Sequence, residues 1–239
     1  MTAADASPRR IRSTRSVNGI LRPSRRPVAV LIVAVAAIIA ITAGGFALKA
    51  HAIDLGLSET LNRMHTGFIG EVTTLVYHVF SPTPAIIITV VVTGMIWVAS
   101  RQLSVAAAFA GVVAVTWIPS VLVKELVHRS RPDAHLMAHP YTPVQVDPSY
   151  PSGHIVFITV FVIALVFVLR GTGWTSVGVI GGTALILIVA FSLMVDAVHY
   201  PTDVLASVVW SVTVAPAVRY LWAAWLMPKI PYLRPRSRR

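Results

Sequence analysis

The 239-residue sequence contains no cysteine and few charged residues. The lack of cysteine excludes a disulfide framework and any metal site with thiolate ligands. Asp, Glu, Lys and Arg together make up only 12% of the chain, whereas 56% is hydrophobic and the mean hydropathy is +0.75. This balance is far from that of a water-soluble domain, so the composition predicts a membrane protein.

Six apolar runs are each close to the ~20 residues that a helix needs to cross the hydrocarbon core. They cover approximately residues 28–48, 84–100, 104–123, 154–169, 176–195 and 204–226. Because a backbone in lipid must satisfy its hydrogen bonds within each span, we expect an all-α membrane protein built as a bundle of six transmembrane helices. The predicted membrane domain is 28–226, between a basic, disordered tail at 1–27 and a second basic tail at 227–239.

The net charge of +11 is concentrated at the two ends of the chain. Seven arginines precede the first apolar run, and Lys229 and four arginines follow the last. The positive-inside rule then places both termini in the cytoplasm, as an even number of spans requires, in a multi-pass protein of a bacterial cytoplasmic membrane. We interpret the tails as topology signals that also attract anionic lipid, and expect no nucleic-acid partner.

The first apolar run follows a basic leader and precedes an Ala-x-Ala sequence at Ala50, as a signal peptide would. The run is longer than the ~7–15 apolar residues of a signal peptide, so we predict an uncleaved anchor. The outer segment at 49–83 repeats apolar residues at three- and four-residue spacing. That period predicts an amphipathic helix on the outer membrane surface.

Three polar segments fall on the same predicted outer face. The first, Lys124 to Pro132, carries Lys124, Arg129 and Arg131 at the end of the third span. Lys124 and Arg131 are seven residues apart and would share a face if the helix persists. Arg and Lys at a membrane edge suit a phosphate ligand. The alternative is that these cations only extend toward lipid head groups.

The second segment, Pro151 to His154, begins the fourth span. Ser152 is placed to cap that helix, and Gly153 lets the backbone approach a ligand closely, so the helix start is an anion site. His154 would then stand ready to donate a proton to a leaving oxygen. An ordinary helix cap followed by an interfacial histidine is the alternative.

The third segment, Val198 to Ser207, contains His199 and Asp203. Pro201 fits the first position of the sixth span, so Asp203 lies in its first turn and can reach back to orient His199. An oriented histidine is a good nucleophile toward phosphorus and would form a phospho-histidine. The alternative is a helix-start charge beside an interfacial histidine.

Together these segments resemble the three motifs of the phosphatidic acid phosphatase type 2 superfamily. The resemblance rests on Lys124-x6-Arg131-Pro132, Pro151-Ser152-Gly153-His154 and Ser192-x6-His199-x3-Asp203. It implies that His199 is the nucleophile, Asp203 its orienting partner and His154 the general acid. It also implies a phosphate site formed by Lys124, Arg131, Ser152 and Gly153, with no metal and no other cofactor.

One position departs from the third motif. The family has Arg directly after the motif's Ser, whereas this sequence has Leu193. Loss of one such donor typically costs ~10²–10³ in rate. Arg129 is a possible auxiliary cation, and Asp196 adds a negative charge near the expected phosphate site.

The leading functional prediction is a metal-independent membrane phosphatase with its active site at the outer membrane face. Its substrate would be a lipid phosphate or a polyprenyl diphosphate, the latter being the first choice. Because of Leu193, the alternative is a catalytically impaired relative that binds an anionic lipid or a partner protein. A proton relay is not favoured, because the ionisable residues cluster at one end of the spans. The oligomeric state is open, although Gly178, Gly181 and Gly182 mark a possible close helix contact.

Overall fold

The computed structural model describes residues 18–234, and within that range all regular secondary structure is helical. The helices are α1 (Pro27–Ala50), α2 (Leu55–Asn62), α3 (Gly67–Val79), α4 (Pro82–Ser100), α5 (Leu103–Val127), α6 (Gly153–Leu169), α7 (Thr175–Val195) and α8 (Pro201–Arg219). A π-helical segment, Tyr220–Leu226, continues α8. The predicted all-α class is confirmed.

Five helices are long and apolar enough to cross a membrane: α1, α4, α5, α7 and α8 with its continuation to Lys229. The sixth apolar run of the sequence forms α6, which is apolar but has only 17 residues. These spans support the predicted multi-pass membrane protein. The count of six spans stays a prediction.

Helix α6 lies at the centre of the bundle, where it packs against α5, α7 and α8. Its residues 154–162 are all buried, whereas only 11% of the most apolar 18-residue stretch of α4 is buried. Helices α6 and α7 pack closely at Gly182, where an added Cβ would lie only 2.3 Å from Val162 Cγ1. The contact expected from the glycines of α7 is therefore made inside this chain at Gly182 and at Gly178, where a Cβ would lie 2.7 Å from Leu169.

The outer segment contains two helices, and the prediction of one amphipathic helix there was wrong. The chain leaves the helical path between Asn62 and Gly67, because Asn62 and His65 are both bonded to the backbone carbonyl of His139. Gly67 has a positive φ of 48°, which reorients the chain before α3. The buried face of α3 is formed by Gly70, Thr73 and Tyr77. The regularly spaced apolar residues of this segment are mostly exposed, among them Leu57, Phe68, Leu75 and Val79.

The predicted tails are only partly described. Residues 1–17 and 235–239 lie outside the described range. The end of the first tail is folded rather than disordered, because Gly19–Leu21 forms a buried 3₁₀ turn capped by Asn18. Arg219 of α8 donates hydrogen bonds to the carbonyls of Ile20 and Arg22. The start of the second tail also forms 3₁₀ turns, at Met227–Lys229 and Pro231–Leu233.

Candidate active site

The three polar segments meet at one end of the bundle, where α5 ends and where α6 and α8 begin. Helix α5 stops at Val127 and His128 adopts a left-handed conformation with φ 52°, so the helix does not persist to Arg131. Lys124 and Arg131 still converge, because both bind the carboxylate of Asp147. The two cations are therefore brought together by the connecting loop and not by a shared helix face.

His199 lies between the cations and the start of α8. Its side chain is 1% exposed. Its Nε2 is 3.4 Å from Arg131 Nη1, and its Nδ1 is 3.6 Å from Asp203 Oδ2. Because Arg has no acceptor, the contact with Arg131 favours a lone pair on Nε2 and the ring proton on Nδ1, facing the carboxylate. A nucleophilic imidazole needs this tautomer.

The protonation of His199 is set by its surroundings. Burial lowers the pKa of His199 well below its usual value, and the charges of Arg131 and Lys124 lower it further. Asp147 and the backbone carbonyl of Ser149 oppose this shift without cancelling it. Burial and the two cations thus favour the neutral imidazole, in which one ring nitrogen keeps a lone pair.

Asp203 lies in the first turn of α8, as predicted. Pro201 begins the helix, and Asp203 Oδ2 accepts a hydrogen bond of 2.9 Å from the backbone N–H of Tyr200. Ser207, one turn on, donates to the Asp203 carbonyl and accepts from the backbone N–H of Ser152. The starts of α6 and α8 are thereby joined.

His154 follows Gly153 in the first turn of α6. Its ring packs on Tyr77 with centroids 4.6 Å apart, and its centroid is 6.3 Å from that of His199. Tyr77 is held in turn by a hydrogen bond from its hydroxyl to Gln145 Oε1, 3.0 Å long. The two histidines therefore face one another across a short gap.

Two buried polar atoms at this place, Ser152 Oγ and His154 Nε2, lack a hydrogen-bond partner, and His199 Nδ1 has only the Asp203 carboxylate, at 3.6 Å. Buried polar groups are nearly always bonded, so a group of unpartnered atoms in one place calls for an explanation such as ligand binding. Gly153 leaves room beside them, since a Cβ there would meet only Trp117 Nε1, at 3.9 Å. Of the sequence-predicted site residues, Lys124, Arg131, Gly153 and His154 line one cavity; the buried His199 contacts Arg131 and Asp203, and Ser152 is bonded to Ser207 of α8.

Arg129 is buried away from that space. Its side chain is 2% exposed, and Nη1 donates to Asp203 Oδ1 at 2.6 Å and to Thr202 Oγ1 at 2.7 Å. Nη2 donates to Asp54 Oδ1 at 2.9 Å. The guanidinium also lies 3.9 Å from the centre of the Tyr200 ring. With both ends of the guanidinium bonded to carboxylates, Arg129 is not placed to bind phosphate directly.

Asp147 belongs to this cluster of charges, although its sequence context pointed to no role. Arg131 Nη2 donates to both of its carboxylate oxygens, at 2.9 and 3.0 Å, and Lys124 donates to Oδ2. Burial opposes ionisation, but Lys124 and Arg131 outweigh it and lower the pKa of Asp147 to about 2. A phosphate that binds Lys124 and Arg131 must therefore compete with this carboxylate.

The two departures noted in the third motif have different surroundings. Leu193 is fully buried in the main apolar core. Asp196 is also buried, with Oδ1 3.5 Å from His65 Nε2, and neither of its carboxylate oxygens makes a hydrogen bond. Burial raises the pKa of Asp196 to about 6. Asp196 thus faces His65, in the turn between α2 and α3, rather than Lys124 and Arg131.

A cavity of about 580 Å³ opens beside the site, between α3, α4 and α5. Lys124, Arg131, Asp147 and His154 line its polar end. The remainder is mostly apolar, with Phe80, Ile86, Trp117, Ile118 and Val121. Such a cavity suits a molecule with an anionic head and an apolar tail. Among residues 18–234, no group of three or more His, Asp or Glu side chains is arranged to hold a metal ion.

The fold and the site together define a multi-pass helical membrane protein with two histidines and a cation pair at the ends of its helices. The sequence pattern of the PAP2 superfamily matches residues 101–227, more than half of the chain, so this protein belongs to the PAP2 superfamily. The resemblance of its motifs to this family is thereby confirmed. No curated protein matches the sequence significantly.

The fold is similar to that of a transmembrane PAP2 type phosphatidylglycerolphosphate phosphatase from Bacillus subtilis. The two structures superpose with a TM-score of 0.65 and 17% sequence identity, covering 90% of this chain and 100% of the other. At this identity the likeness concerns the fold, which supports the predicted bundle.

Proposed function

We propose that this protein is a metal-independent membrane phosphatase that hydrolyses a lipid phosphate or a polyprenyl diphosphate through a phospho-histidine. The observation that carries the proposal is the geometry of His199, whose Nε2 lies 3.4 Å from Arg131 Nη1 and whose Nδ1 lies 3.6 Å from Asp203 Oδ2. His154 lies opposite it, at the polar end of the apolar cavity. These contacts support the roles of nucleophile for His199, orienting acid for Asp203 and general acid for His154.

In the first step, the substrate phosphate displaces the Asp147 carboxylate and binds Lys124 and Arg131. His199 Nε2 attacks phosphorus while the bond from phosphorus to the leaving oxygen breaks, and His154, which must be protonated when the anionic substrate is bound, donates its extra proton to that oxygen and becomes neutral. Asp203 stabilises the positive charge that develops on the imidazole. The cations stabilise the negative charge on the transferring phosphoryl group.

In the second step, a water molecule replaces the leaving group. His154, which gave up its proton, takes one from this water as the oxygen attacks phosphorus. The bond between phosphorus and Nε2 breaks, inorganic phosphate leaves, and both histidines return to their starting states. The water and the substrate supply all the atoms of the products.

The shape of the cavity supports a lipid substrate. Its apolar walls lie on α4 and α5, two helices that expose large apolar side chains such as Ile86 and Ile118. An acyl or prenyl chain would occupy these walls while its phosphate reaches Lys124 and Arg131. Polyprenyl diphosphate and phosphatidylglycerol phosphate, the compound named for the Bacillus subtilis relative, are the first substrates to compare.

We further propose six spans, with α6 as the shortest, both termini in the cytoplasm and the site at the outer face of a bacterial cytoplasmic membrane. Helix α6 is surrounded by other helices rather than by lipid, so its length is less constrained than that of a lipid-facing span. The exposed apolar side chains of α2 and α3 would then rest in the outer interface.

The proposal is tested by phosphate release from a panel of lipid phosphates and polyprenyl diphosphates, by purified protein in detergent with EDTA present. We expect release by the wild type and its loss in His199→Ala. His135→Ala, which removes an exposed histidine of the same outer loop, is the matched control and should keep wild-type activity. Equal turnover in wild type and His199→Ala would exclude the phospho-histidine mechanism.

A second candidate function is a catalytically impaired relative that binds an anionic lipid or a partner protein. Two observations favour it: Leu193 replaces a cation with a buried apolar side chain, and Asp147 already engages both remaining cations. Binding of a lipid phosphate without phosphate release over hours would support this function. Activity gained in Leu193→Arg would then identify the missing cation as the cause.

A further inference from the structure

We propose that Asp54 and Arg129 are positioning residues that prepare Asp203 for its role beside His199. Arg129 holds the Asp203 carboxylate in place, and Asp54 balances the charge of Arg129 so that the negative charge of Asp203 remains available to His199. The inference rests on the proposed function, in which Asp203 stabilises a charged His199.

Arg129 divides its guanidinium between two buried carboxylates. Nη1 donates to Asp203 Oδ1 at 2.6 Å and Nη2 donates to Asp54 Oδ1 at 2.9 Å. The exposed fractions of the three side chains are 2% for Arg129, 0% for Asp203 and 8% for Asp54. A buried charge group of this kind is tolerated only when its members are well bonded; the side chains of Arg129 and Asp54 each take part in three hydrogen bonds and that of Asp203 in two.

Asp54 is attached to the same helix start as Asp203. Its Oδ2 accepts hydrogen bonds from Thr202 N at 2.9 Å and from Thr202 Oγ1 at 2.6 Å. Asp54 precedes α2 but does not cap it with its side chain, so both carboxylate oxygens are directed to α8 and Arg129. The segment between α1 and α2 thereby reaches the residue next to Asp203.

The charges explain why a second carboxylate is useful. Arg129 and Asp203 alone would form a neutral pair, and the guanidinium would oppose a positive charge on His199. With Asp54 ionised, the buried group carries one net negative charge, which matches the one positive charge that His199 acquires when Nε2 bonds to phosphorus. Removing the charge of Asp54 leaves a neutral pair beside the nucleophile.

A purely mechanical role for Asp54 makes a different prediction. If Asp54 only ties the α1–α2 segment to α8, Asp54→Asn should cost no more than Thr202→Val, because the Asn side-chain oxygen can still accept from Thr202 while only the bond from Arg129 Nη2 is lost. If the charge matters, Asn should fail although its shape is preserved. Thr202→Val is the complementary variant, since it removes the Thr202 hydroxyl's hydrogen bonds but keeps all three charges.

The first measurement is the tautomer of His199, obtained from ¹⁵N NMR of histidine-labelled protein in detergent, with the signal assigned by its loss in His199→Ala. We expect the Nδ1–H tautomer in the wild type and in Thr202→Val, and a mixture of tautomers in Asp54→Asn. Glu59→Gln makes the same acid-to-amide change on neighbouring α2 and should leave the signal unchanged.

The second measurement is turnover of the best substrate. Changing a residue that orients an active-site side chain typically costs ~10–100-fold in activity. We expect a fall of that size in kcat for Asp54→Asn, with KM within about twofold of wild type. Asp54→Glu, which restores the charge, should recover part of the loss. Assays are run below the unfolding temperature of each variant.

An unchanged tautomer and an unchanged kcat in Asp54→Asn would overturn the inference. A larger loss of kcat in Thr202→Val than in Asp54→Asn would also overturn the inference, because it would identify tethering as the role of Asp54. If Asp54→Asn does not fold, the Thr202→Val result decides the inference. A wild type that hydrolyses no substrate would count against the proposed function, while the NMR measurement would still decide this inference.

Discussion

Arg129 and Arg131 are separated by one residue, yet they belong to two ion-pair groups with opposite properties. Arg129 is bonded to Asp54 and Asp203, and all three side chains are buried. Arg131 is bonded to Asp147, whose side chain is 47% exposed, and Lys124 shares that carboxylate. Although only one residue separates them, Arg129 is directed to Asp54 and Asp203 and Arg131 to Asp147.

One short segment thus supplies a permanent charge group around Arg129 and an exchangeable one around Arg131. Breaking a buried pair leaves an uncompensated charge in a medium of low polarity, which is costly. In the Arg131 group only the Asp147 carboxylate is well exposed, at 47%, whereas the side chains of Arg131 and Lys124 are 9% and 15% exposed, so water competes mainly for the carboxylate. Under the proposed function a phosphate replaces this carboxylate, whereas the group around Arg129 cannot be opened without leaving a buried charge unpaired.

The largest effect is expected from Arg129→Met, which leaves Asp54 and Asp203 buried without a cation. Removal of one member of a buried pair typically destabilises by ~3–5 kcal/mol. We expect a large drop in the thermal unfolding midpoint measured in detergent, or loss of folded protein. Arg131→Met should cost less, because the Asp147 carboxylate that it leaves behind is 47% exposed to water, although the variant also loses the hydrogen bonds of Arg131 to the backbone carbonyls of Asp147 and Val198. Equal destabilisation by the two variants would show that the comparison between the groups is wrong.

The next effect concerns catalysis. Arg131→Met removes a donor that faces His199 and the proposed phosphate position, and we expect kcat/KM to fall by ~10²–10³ while the unfolding midpoint falls less than in Arg129→Met. Steady-state phosphate release measures this. Arg63→Met, which removes an exposed arginine between α2 and α3, is the control and should retain full activity.

A smaller effect is expected from Asp147→Asn, which removes the carboxylate that competes with phosphate. Inhibition by inorganic phosphate should become about 2–5-fold stronger, the size expected from one exposed ion pair. The inhibition constant is compared with that of Asp133→Asn, a change at an exposed aspartate of the same loop. Weaker inhibition in Asp147→Asn would mean that Asp147 orients the cations rather than competing with their ligand.

The smallest effect is the response of stability to salt and pH. Because the pKa of Asp147 is lowered to about 2, its ion pair stabilises the fold above the usual value of 3.8 and this stabilisation is lost as pH falls toward 2. At pH 7 in about 1 M NaCl, where the Debye length is ~3 Å, the difference in unfolding midpoint between wild type and Asp147→Asn should nearly vanish.

The matched measurement uses Asp54→Asn, because the charge that this variant removes is buried. The difference in unfolding midpoint between this variant and wild type should be the same in low and high salt, because salt ions do not enter the buried group. A salt-dependent difference for Asp54 would show that water and ions reach Arg129.

Much of the architecture was predictable, because it depends on local pattern. The apolar runs predicted the membrane helices, and Pro27, Pro82 and Pro201 begin three of them. The outer segment was predicted less well. Its apolar period runs through both α2 and α3, whereas the break between them depends on bonds from Asn62 and His65 to the distant carbonyl of His139.

The sequence by itself determined the family and the membrane class, because hydropathy and the motifs at Lys124, Pro151 and His199 can be read along the chain. Only the tertiary structure decided which carboxylate each arginine binds. Asp54 is 75 residues from Arg129, and Asp147 is 16 residues from Arg131. Nothing local marks those partners, since ion pairs form where the packed helices and loops bring charges together. The physical reason is that burial, and with it the strength of each pair, is a property of the folded chain.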